Sequence, residues 1–81
     1  MGKILKINKS FGIAIRKLRT QQGWSQEKFA EYAEIHRTYV SSIELGKVTV
    51  SLEVAEKLAT SFNISLSRLI KMAEKIQKGL E

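Results

Sequence analysis

The sequence contains no cysteine and no proline, and it has a single histidine among its 81 residues. The absence of cysteine excludes disulfides and thiolate metal sites, and one histidine cannot hold zinc unless carboxylates complete the coordination. No apolar run approaches the roughly 20 residues that a bilayer-spanning helix needs. Lysines interrupt the apolar residues at the start of the chain, so it lacks the continuous apolar stretch of a secretory signal. We expect a cytoplasmic protein with no metal site and no membrane span.

Motifs that support catalysis are also missing. The chain has no glycine-rich phosphate loop, no cysteine nucleophile and no motif of paired carboxylates. An enzyme is therefore the least favoured class, and the sequence indicates neither a cofactor nor a small-molecule ligand.

Positive charge predominates, with a net charge of +6 and a sequence pI near 9.8. This balance favours a polyanionic partner, which leaves DNA, RNA and an anionic membrane surface as candidates. Residues 1–24 contain lysine and arginine but no acidic residue, whereas acidic residues outnumber basic ones in residues 25–45. The alternative is that the charge only keeps a small protein soluble.

Apolar residues recur at helical spacing, and no stretch alternates apolar and polar residues over the length of a strand. The pattern predicts an all-α, five-helix domain over residues 1–81, with its core from about residue 9 to residue 73. The five apolar stripes are Phe11, Ile15 and Leu18; Phe29, Ala30 and Ala33; Ile35, Val40 and Ile43; Leu52, Ala55, Leu58, Ala59 and Phe62; and Leu66, Leu69, Ile70 and Ala73.

Serine residues mark three of the expected helix starts. Ser25, Ser51 and Ser65 suit N-caps, because a serine hydroxyl can accept a hydrogen bond from a free amide of the first turn. Trp24 and Phe29 flank the first of these caps with the spacing of a hydrophobic staple.

The other helix ends follow from asparagine, serine and glycine. Helix 1 is expected to begin near Asn8 or Ser10 and to end just before Gly23. Asn63 suits a left-handed residue after helix 4.

Helices 2 and 3 have a short joint. Helix 2 is expected from about Gln26 to Ala33, and helix 3 from His36 or Arg37. A gap of about three residues favours the sharp angle of a helix-turn-helix. An ordinary helical hairpin is the alternative.

The segment from Ser25 to Glu44, SQEKFAEYAEIHRTYVSSIE, resembles the helix-turn-helix of the phage repressor and Cro family, often called Xre-like. The resemblance extends from about Phe11 to Ile70 and implies a five-helix, repressor-like fold that binds double-stranded DNA. Its other motifs are Phe11-Gly12, Ile15-Arg16, Leu18-Arg19, Gly23-Trp24-Ser25-Gln26, Ile43-Glu44-Leu45-Gly46-Lys47 and Ser51-Leu52-Glu53.

The resemblance implies a structural ion pair. Arg19 and Glu44 match two residues that form a buried salt bridge between helix 1 and the end of helix 3 in the family. Such a pair orients the recognition helix more than it stabilises the fold. The alternative is an exposed and unpaired arginine and glutamate.

Two positions depart from the family pattern. Glu34 stands at the turn, where the family usually has glycine, so either a left-handed glutamate costs about 1–2 kcal/mol or the turn differs. Leu45 stands where the family often has arginine or asparagine. One DNA contact is therefore lost there, or it is replaced by an apolar one.

The outward face of helix 3 is expected to read DNA bases. The apolar residues of this helix face inward, which leaves Arg37, Thr38, Ser41 and Ser42 facing out. A guanidinium fits guanine O6 and N7 in bidentate fashion, so Arg37 is the first candidate for a base contact. The alternatives are a phosphate contact for Arg37 and plain surface positions for the hydroxyls. His36 is expected to cap helix 3.

Phosphate contacts should flank the reading face. The start of helix 2 points amide N–H groups outward, and lysines lie on either side of helix 3. The Tyr39 hydroxyl is expected to reach phosphate; the alternative is that its ring packs against the core. The candidates are Ser25, Gln26, Lys28, Tyr39, Lys47 and Lys17.

Within the family, the stretch His36–Ser41 is most similar to the controller proteins of restriction–modification systems. This likeness implies a small homodimer that binds palindromic operators and regulates its own gene and that of the endonuclease. Helix 5 offers the dimer interface through Leu66, Leu69, Ile70 and Ala73; the alternative is that these residues cover the domain's own core.

Three other functions remain open. An autoregulatory antitoxin, or another phage or plasmid repressor, would act partly through a protein partner on the same fold. An RNA binder would expose aromatic residues for base stacking, and most aromatics here fall on core stripes. A membrane-surface helix would set lysines opposite a wide apolar face, as the tail from Arg68 to Lys78 partly does.

Overall fold

The computed structural model describes residues 6–79, which form five α-helices joined by short connections. No strand occurs among these residues, so the predicted all-α, five-helix fold is confirmed. None of the helices it describes is long and apolar enough to cross a membrane. The helices are α1 (Ile7–Gln21), α2 (Gln26–Ala33), α3 (Arg37–Glu44), α4 (Leu52–Ser61) and α5 (Leu66–Gln77).

The three predicted serine N-caps are confirmed. The hydroxyls of Ser25, Ser51 and Ser65 each accept a hydrogen bond from the backbone N–H three residues on, at 3.0, 3.1 and 3.1 Å. Each cap satisfies one of the free amides at a helix start and contributes about 1 kcal/mol. The Trp24–Phe29 staple is present as well, with ring centroids 6.2 Å apart.

The start of α1 is earlier than expected. The helix begins at Ile7 with Lys6 as N-cap, and no side chain caps it. The two residues expected to start it have other partners: Asn8 donates to Thr49, and Ser10, which is fully buried, donates to the Lys6 carbonyl. Neither residue caps the helix, because a tertiary contact uses the Asn8 side chain and a local bond to the preceding turn uses that of Ser10.

The turn between α2 and α3 keeps its left-handed geometry without glycine. Glu34 has φ 57° and ψ 46°, and the Ile35 N–H donates to the Ala30 carbonyl at 3.0 Å. The sequence left open whether glutamate would adopt this conformation or change the turn, and it adopts it, at a cost of about 1–2 kcal/mol. Asn63 is left-handed as predicted, with φ 59°.

One core joins all five helices. Helix α1 packs most extensively on α5 and next on α3, while α2 packs on α3 and α4. The rings of Trp24, Phe29 and Phe62 stack in its centre, with centroids 4.7–6.2 Å apart. Leu52 was expected in this core, but it is 76% exposed because it occupies the first position after the Ser51 cap, outside the buried stripe.

Two of the four α5 residues predicted to form the dimer interface are buried in the chain's own core. Leu69 and Ala73 are 0% exposed, so they have no surface to offer a second chain, and assigning them to the interface was wrong. Leu66 and Ile70 are only partly buried against the core.

Candidate nucleic-acid interface

Helix α3 presents its four predicted reading residues on one face. Arg37 and Thr38 are exposed, and Ser41 and Ser42 are half-buried. At about 100° per residue, these four positions and Leu45 fall on one side of the helix. Leu45 is 50% exposed, so an apolar side chain extends the reading face by one turn.

The opposite face of α3 anchors the helix to the body of the domain. Val40 and Ile43 are 0% and 2% exposed. Gly12 of α1 lies directly against the end of α3: an added Cβ would clash with the Ile43 carbonyl oxygen and would be 2.8 Å from that of Glu44. Helices α1 and α3 are therefore in backbone contact, which fixes how far α3 projects from the domain.

The predicted pair of Arg19 and Glu44 is present. The Arg19 Nε donates to Glu44 Oε2 at 2.6 Å and its Nη2 donates to Oε1 at 3.0 Å, which makes a bidentate bridge. The two side chains are 12% and 4% exposed. Glu44 ends α3, where the helix dipole disfavours an anion. The Arg19 guanidinium therefore offsets two energetic costs, that of burying the carboxylate and that of placing it at the negative end of the helix dipole.

Two further contacts tie the start of α2 to this bridge. Arg19 Nη1 donates to the Trp24 carbonyl at 2.8 Å, and Gln26 Nε2 donates to Glu44 Oε1 at 3.1 Å. The start of α2 and the end of α3 therefore share one hydrogen-bonded network. The Gln26 side-chain amide, expected to contact phosphate, donates one hydrogen bond to Glu44 in the structure.

Three other residues expected to contact phosphate lie at the start of α2 and just after α3. Ser25 caps α2, and Lys28 in its first turn is exposed, with its Nζ 5.8 Å from the Tyr32 ring centroid. Lys47 is exposed just beyond α3, where its N–H donates to the Ser42 carbonyl at 3.0 Å. The structure therefore groups these three residues around α2 and α3.

Tyr39 and Lys17 are less well placed. The Tyr39 ring packs against the core, as the alternative interpretation held. Lys17 is exposed on α1, but it lies about 140° around the helix from Gly12, which faces α3. His36 occupies the N-cap position of α3, yet its side chain makes no capping hydrogen bond, so the expected cap is wrong in that respect.

A groove between α2 and α4 carries the opposite charge. Glu34, Glu53 and Glu56 line it together with Lys57, next to the rings of Trp24 and Tyr32. Three carboxylates against one ammonium repel phosphates. The charge distribution therefore favours the α3 side of the domain as the nucleic-acid face.

The helix-turn-helix motif expected from the sequence covers most of this site, and comparisons with known proteins identify the same family. A family model described as helix-turn-helix, HTH_3, matches residues 15–69. The matched region contains α2 and α3 complete, together with the Arg19–Glu44 bridge.

Individual relatives are similar over most of the chain. The control protein C.MunI of a Mycoplasma species is 46% identical over 66 residues, which is 80% of this chain and 89% of that protein. A competence pilus inhibition repressor of Acinetobacter baylyi is 36% identical over 63 residues, which is 78% of this chain but only 57% of that protein. The crystal structure of the restriction-modification controller protein C.AhdI of Aeromonas hydrophila superposes with a TM-score of 0.72 at 41% identity, covering 75% of this chain and 92% of that one.

Proposed function

Because this chain belongs to the helix-turn-helix family, we propose that it is a transcriptional regulator that binds double-stranded DNA with sequence specificity. The observation that carries the proposal is the geometry of α3. Four polar residues face outward, while the inner face is held by Val40, Ile43 and the Arg19–Glu44 bridge. A rigid helix with a polar outer face suits the major groove, which is about 12 Å wide. The role is one of binding, with no catalytic step, and it is exercised on DNA in the cytoplasm.

The roles of the side chains divide by position. Arg37, Thr38, Ser41 and Ser42 read base edges. Around them, the phosphate contacts come from the start of α2, from Lys28 and from Lys47, with Tyr39 and Lys17 as outer candidates. Phosphate contacts fix the register of α3, and base contacts supply the specificity.

Within the family, we assign the chain to the controller proteins of restriction–modification systems. Support comes from the similarity to C.MunI, which covers 89% of that protein. The match to a repressor of another kind supports the alternative, an antitoxin or phage-type repressor that also uses a protein partner. Co-purification of a second small protein with the chain would favour that alternative.

A homodimer on a palindromic operator completes the proposal. One helix-turn-helix makes few base contacts, and two related by a two-fold axis double them. The half-buried residues Leu66 and Ile70 of α5 supply the apolar surface for this contact.

Selection from random duplexes tests the operator and the dimer together. Enriched sequences are expected to be inverted repeats with half-sites about 34–36 Å apart, one helical turn. Sedimentation at micromolar concentration is expected to give a dimer, and Leu66→Glu with Ile70→Glu is expected to give a monomer. Enrichment of no sequence over the starting pool would refute sequence-specific binding.

Two substitutions separate base reading from phosphate binding. Arg37→Ala is expected to relax preference at one base pair, at a cost of about 1–3 kcal/mol on the selected operator. Lys47→Ala is expected to weaken binding to operator and to mixed-sequence DNA alike and to reduce the salt slope by about one. Both are read from binding isotherms on the two duplexes. A uniform loss for both variants would contradict the division of roles.

A further inference from the structure

The first turns of α1 lie against the end of the recognition helix. A Cβ added to Gly46 would lie 2.8 Å from Lys9 Cα and 3.2 Å from both Cβ and Cδ of Lys9. The aliphatic stem of Lys9 therefore runs along the Gly46 backbone. Gly46 comes directly after Leu45, the C-cap of α3. This contact fixes Lys9 at the point where α3 ends and the loop to α4 begins.

A second contact holds the same loop. Asn8 Nδ2 donates to Thr49 Oγ1 at 2.7 Å, across 41 residues of sequence. Asn8 and Lys9 are neighbours on α1, so one short stretch of that helix contacts the loop at two points. The loop also carries Lys47, which the proposed function places on phosphate.

Together these residues form what we call the α1–loop patch: Lys6, Asn8, Lys9, Lys47 and Thr49. Its three lysines are exposed, and it contains no acidic residue. Among the described residues, neither Lys6 nor Lys9 forms a salt bridge with a carboxylate. The Arg19–Glu44 salt bridge lies inside the fold and does not involve them. The patch adjoins the start of α1, whose helix dipole adds positive potential.

The position of the patch relative to DNA follows from dimensions. An eight-residue helix such as α3 is about 12 Å long, and the major groove that receives it is about 12 Å wide. When the first turns of α3 contact bases, its last turn reaches the phosphates that border the groove. The α1–loop patch lies at that last turn.

We propose that Lys9, supported by Lys6, binds the phosphodiester backbone at the edge of the groove that α3 reads. This inference rests on the proposed function and extends it, because it makes α1 part of the DNA interface. Gly46 and the Asn8–Thr49 hydrogen bond act as positioning elements that hold Lys9 next to the loop that carries Lys47.

The test is the salt dependence of binding by the full chain to a mixed-sequence duplex and to its selected operator. Each lost phosphate contact makes the negative slope of log K against log salt shallower by about 0.9, which is roughly an eightfold loss of affinity at 0.1 M salt. We expect this change for Lys9→Ala on both duplexes, with the operator preference unchanged. Lys9→Arg is expected to keep the wild-type slope.

Lys75→Ala is the matched control. It removes the same charge from an exposed position on α5, a helix that packs on α1 and α4. Its slope is expected to equal that of the wild type. Equal slopes for Lys9→Ala and Lys75→Ala would overturn the inference and leave the proposed function standing. A wild-type chain that binds neither duplex would overturn both.

Discussion

Gly12→Ala is expected to destabilise the protein by about 2–3 kcal/mol and to lower its melting temperature by about 10–20 °C. The added methyl carbon would clash with the Ile43 carbonyl oxygen and would lie 2.9 Å from the Glu44 carbonyl carbon. Both atoms belong to the backbone of α3, so no side-chain rotation relieves the clash. The two helices must move apart, which opens the core between them.

This prediction has the opposite sign to that of helix propensity alone. Replacing a glycine inside a helix with alanine ordinarily stabilises it by about 0.5–1 kcal/mol. A thermal melt of Gly12→Ala therefore decides between the two effects. A melting temperature above that of the wild type would show that α1 and α3 are not in backbone contact.

Gly23→Ala serves as the control. No atom lies within 4 Å of the Cβ it would add, and its cost is that of a left-handed alanine at φ 74°, about 1–2 kcal/mol. Because Gly23 does not touch α3, this variant is expected to keep the operator affinity of the wild type below its melting temperature. Gly12→Ala is expected to lose affinity even where it is folded, since the displaced α3 no longer projects correctly.

The helices were predictable because their signals are local. Serine caps and apolar stripes act within one or two turns, and the boundaries of α2 and α4 follow from them. The start of α1 was not predictable in this way. Asn8 has the side chain of a cap, but its partner Thr49 is distant in sequence, and only the fold brings the two together.

The candidate site was predictable where the family motif covers it. The pairing of Arg19 with Glu44 came from the resemblance, and the structure confirms it with two hydrogen bonds. The bond from Gln26 to Glu44 carries no local signal, and the approach of Gly12 to α3 carries almost none, because both depend on how α1, α2 and α3 meet. A glycine inside a predicted helix is the one hint that the sequence offered, since glycine there is unfavourable unless a close contact needs it.

Burial separates the two interpretations of α5 that the sequence left open. A helical stripe of apolar residues has the same spacing whether it faces the chain's own core or a partner. Leu69 and Ala73 face inward at 0% exposure, and only Leu66 and Ile70 remain at the edge. The packing of α1 on α5 determines which residues of α5 are buried. The two helices lie at opposite ends of the sequence, so no local pattern could predict this contact.

The second large effect is expected at the ion pair. Arg19→Ala removes three hydrogen bonds, two to Glu44 and one to the Trp24 carbonyl. The Glu44 side chain is 4% exposed at the end of α3 in the intact protein, and without Arg19 it keeps the Gln26 amide as its hydrogen-bond donor. Leaving one buried charge without its counter-ion costs about 3–5 kcal/mol, a large part of the total stability of about 5–15 kcal/mol that is typical of a folded protein.

A pair of controls isolates the origin of that loss. Arg16→Ala removes an exposed arginine from the same helix and is expected to change stability by less than about 0.5 kcal/mol. Arg19→Met combined with Glu44→Leu removes both charges and fills the space, so it is expected to be more stable than Arg19→Ala alone. Denaturant unfolding of the four proteins gives these differences directly.

Binding by the double variant then shows what the pair does for function. If the bridge mainly orients α3, the Met–Leu protein is expected to fold stably and yet bind the selected operator more weakly than the wild type. The start of α2 loses the hydrogen bond from Gln26 to Glu44 and the one from Arg19 to the Trp24 carbonyl. Affinity for mixed-sequence DNA is expected to fall less, since phosphate contacts tolerate small shifts of α3 better than base contacts do. Wild-type operator affinity in this variant would mean that apolar packing of Val40 and Ile43 is enough to orient α3, and that the bridge acts on stability alone.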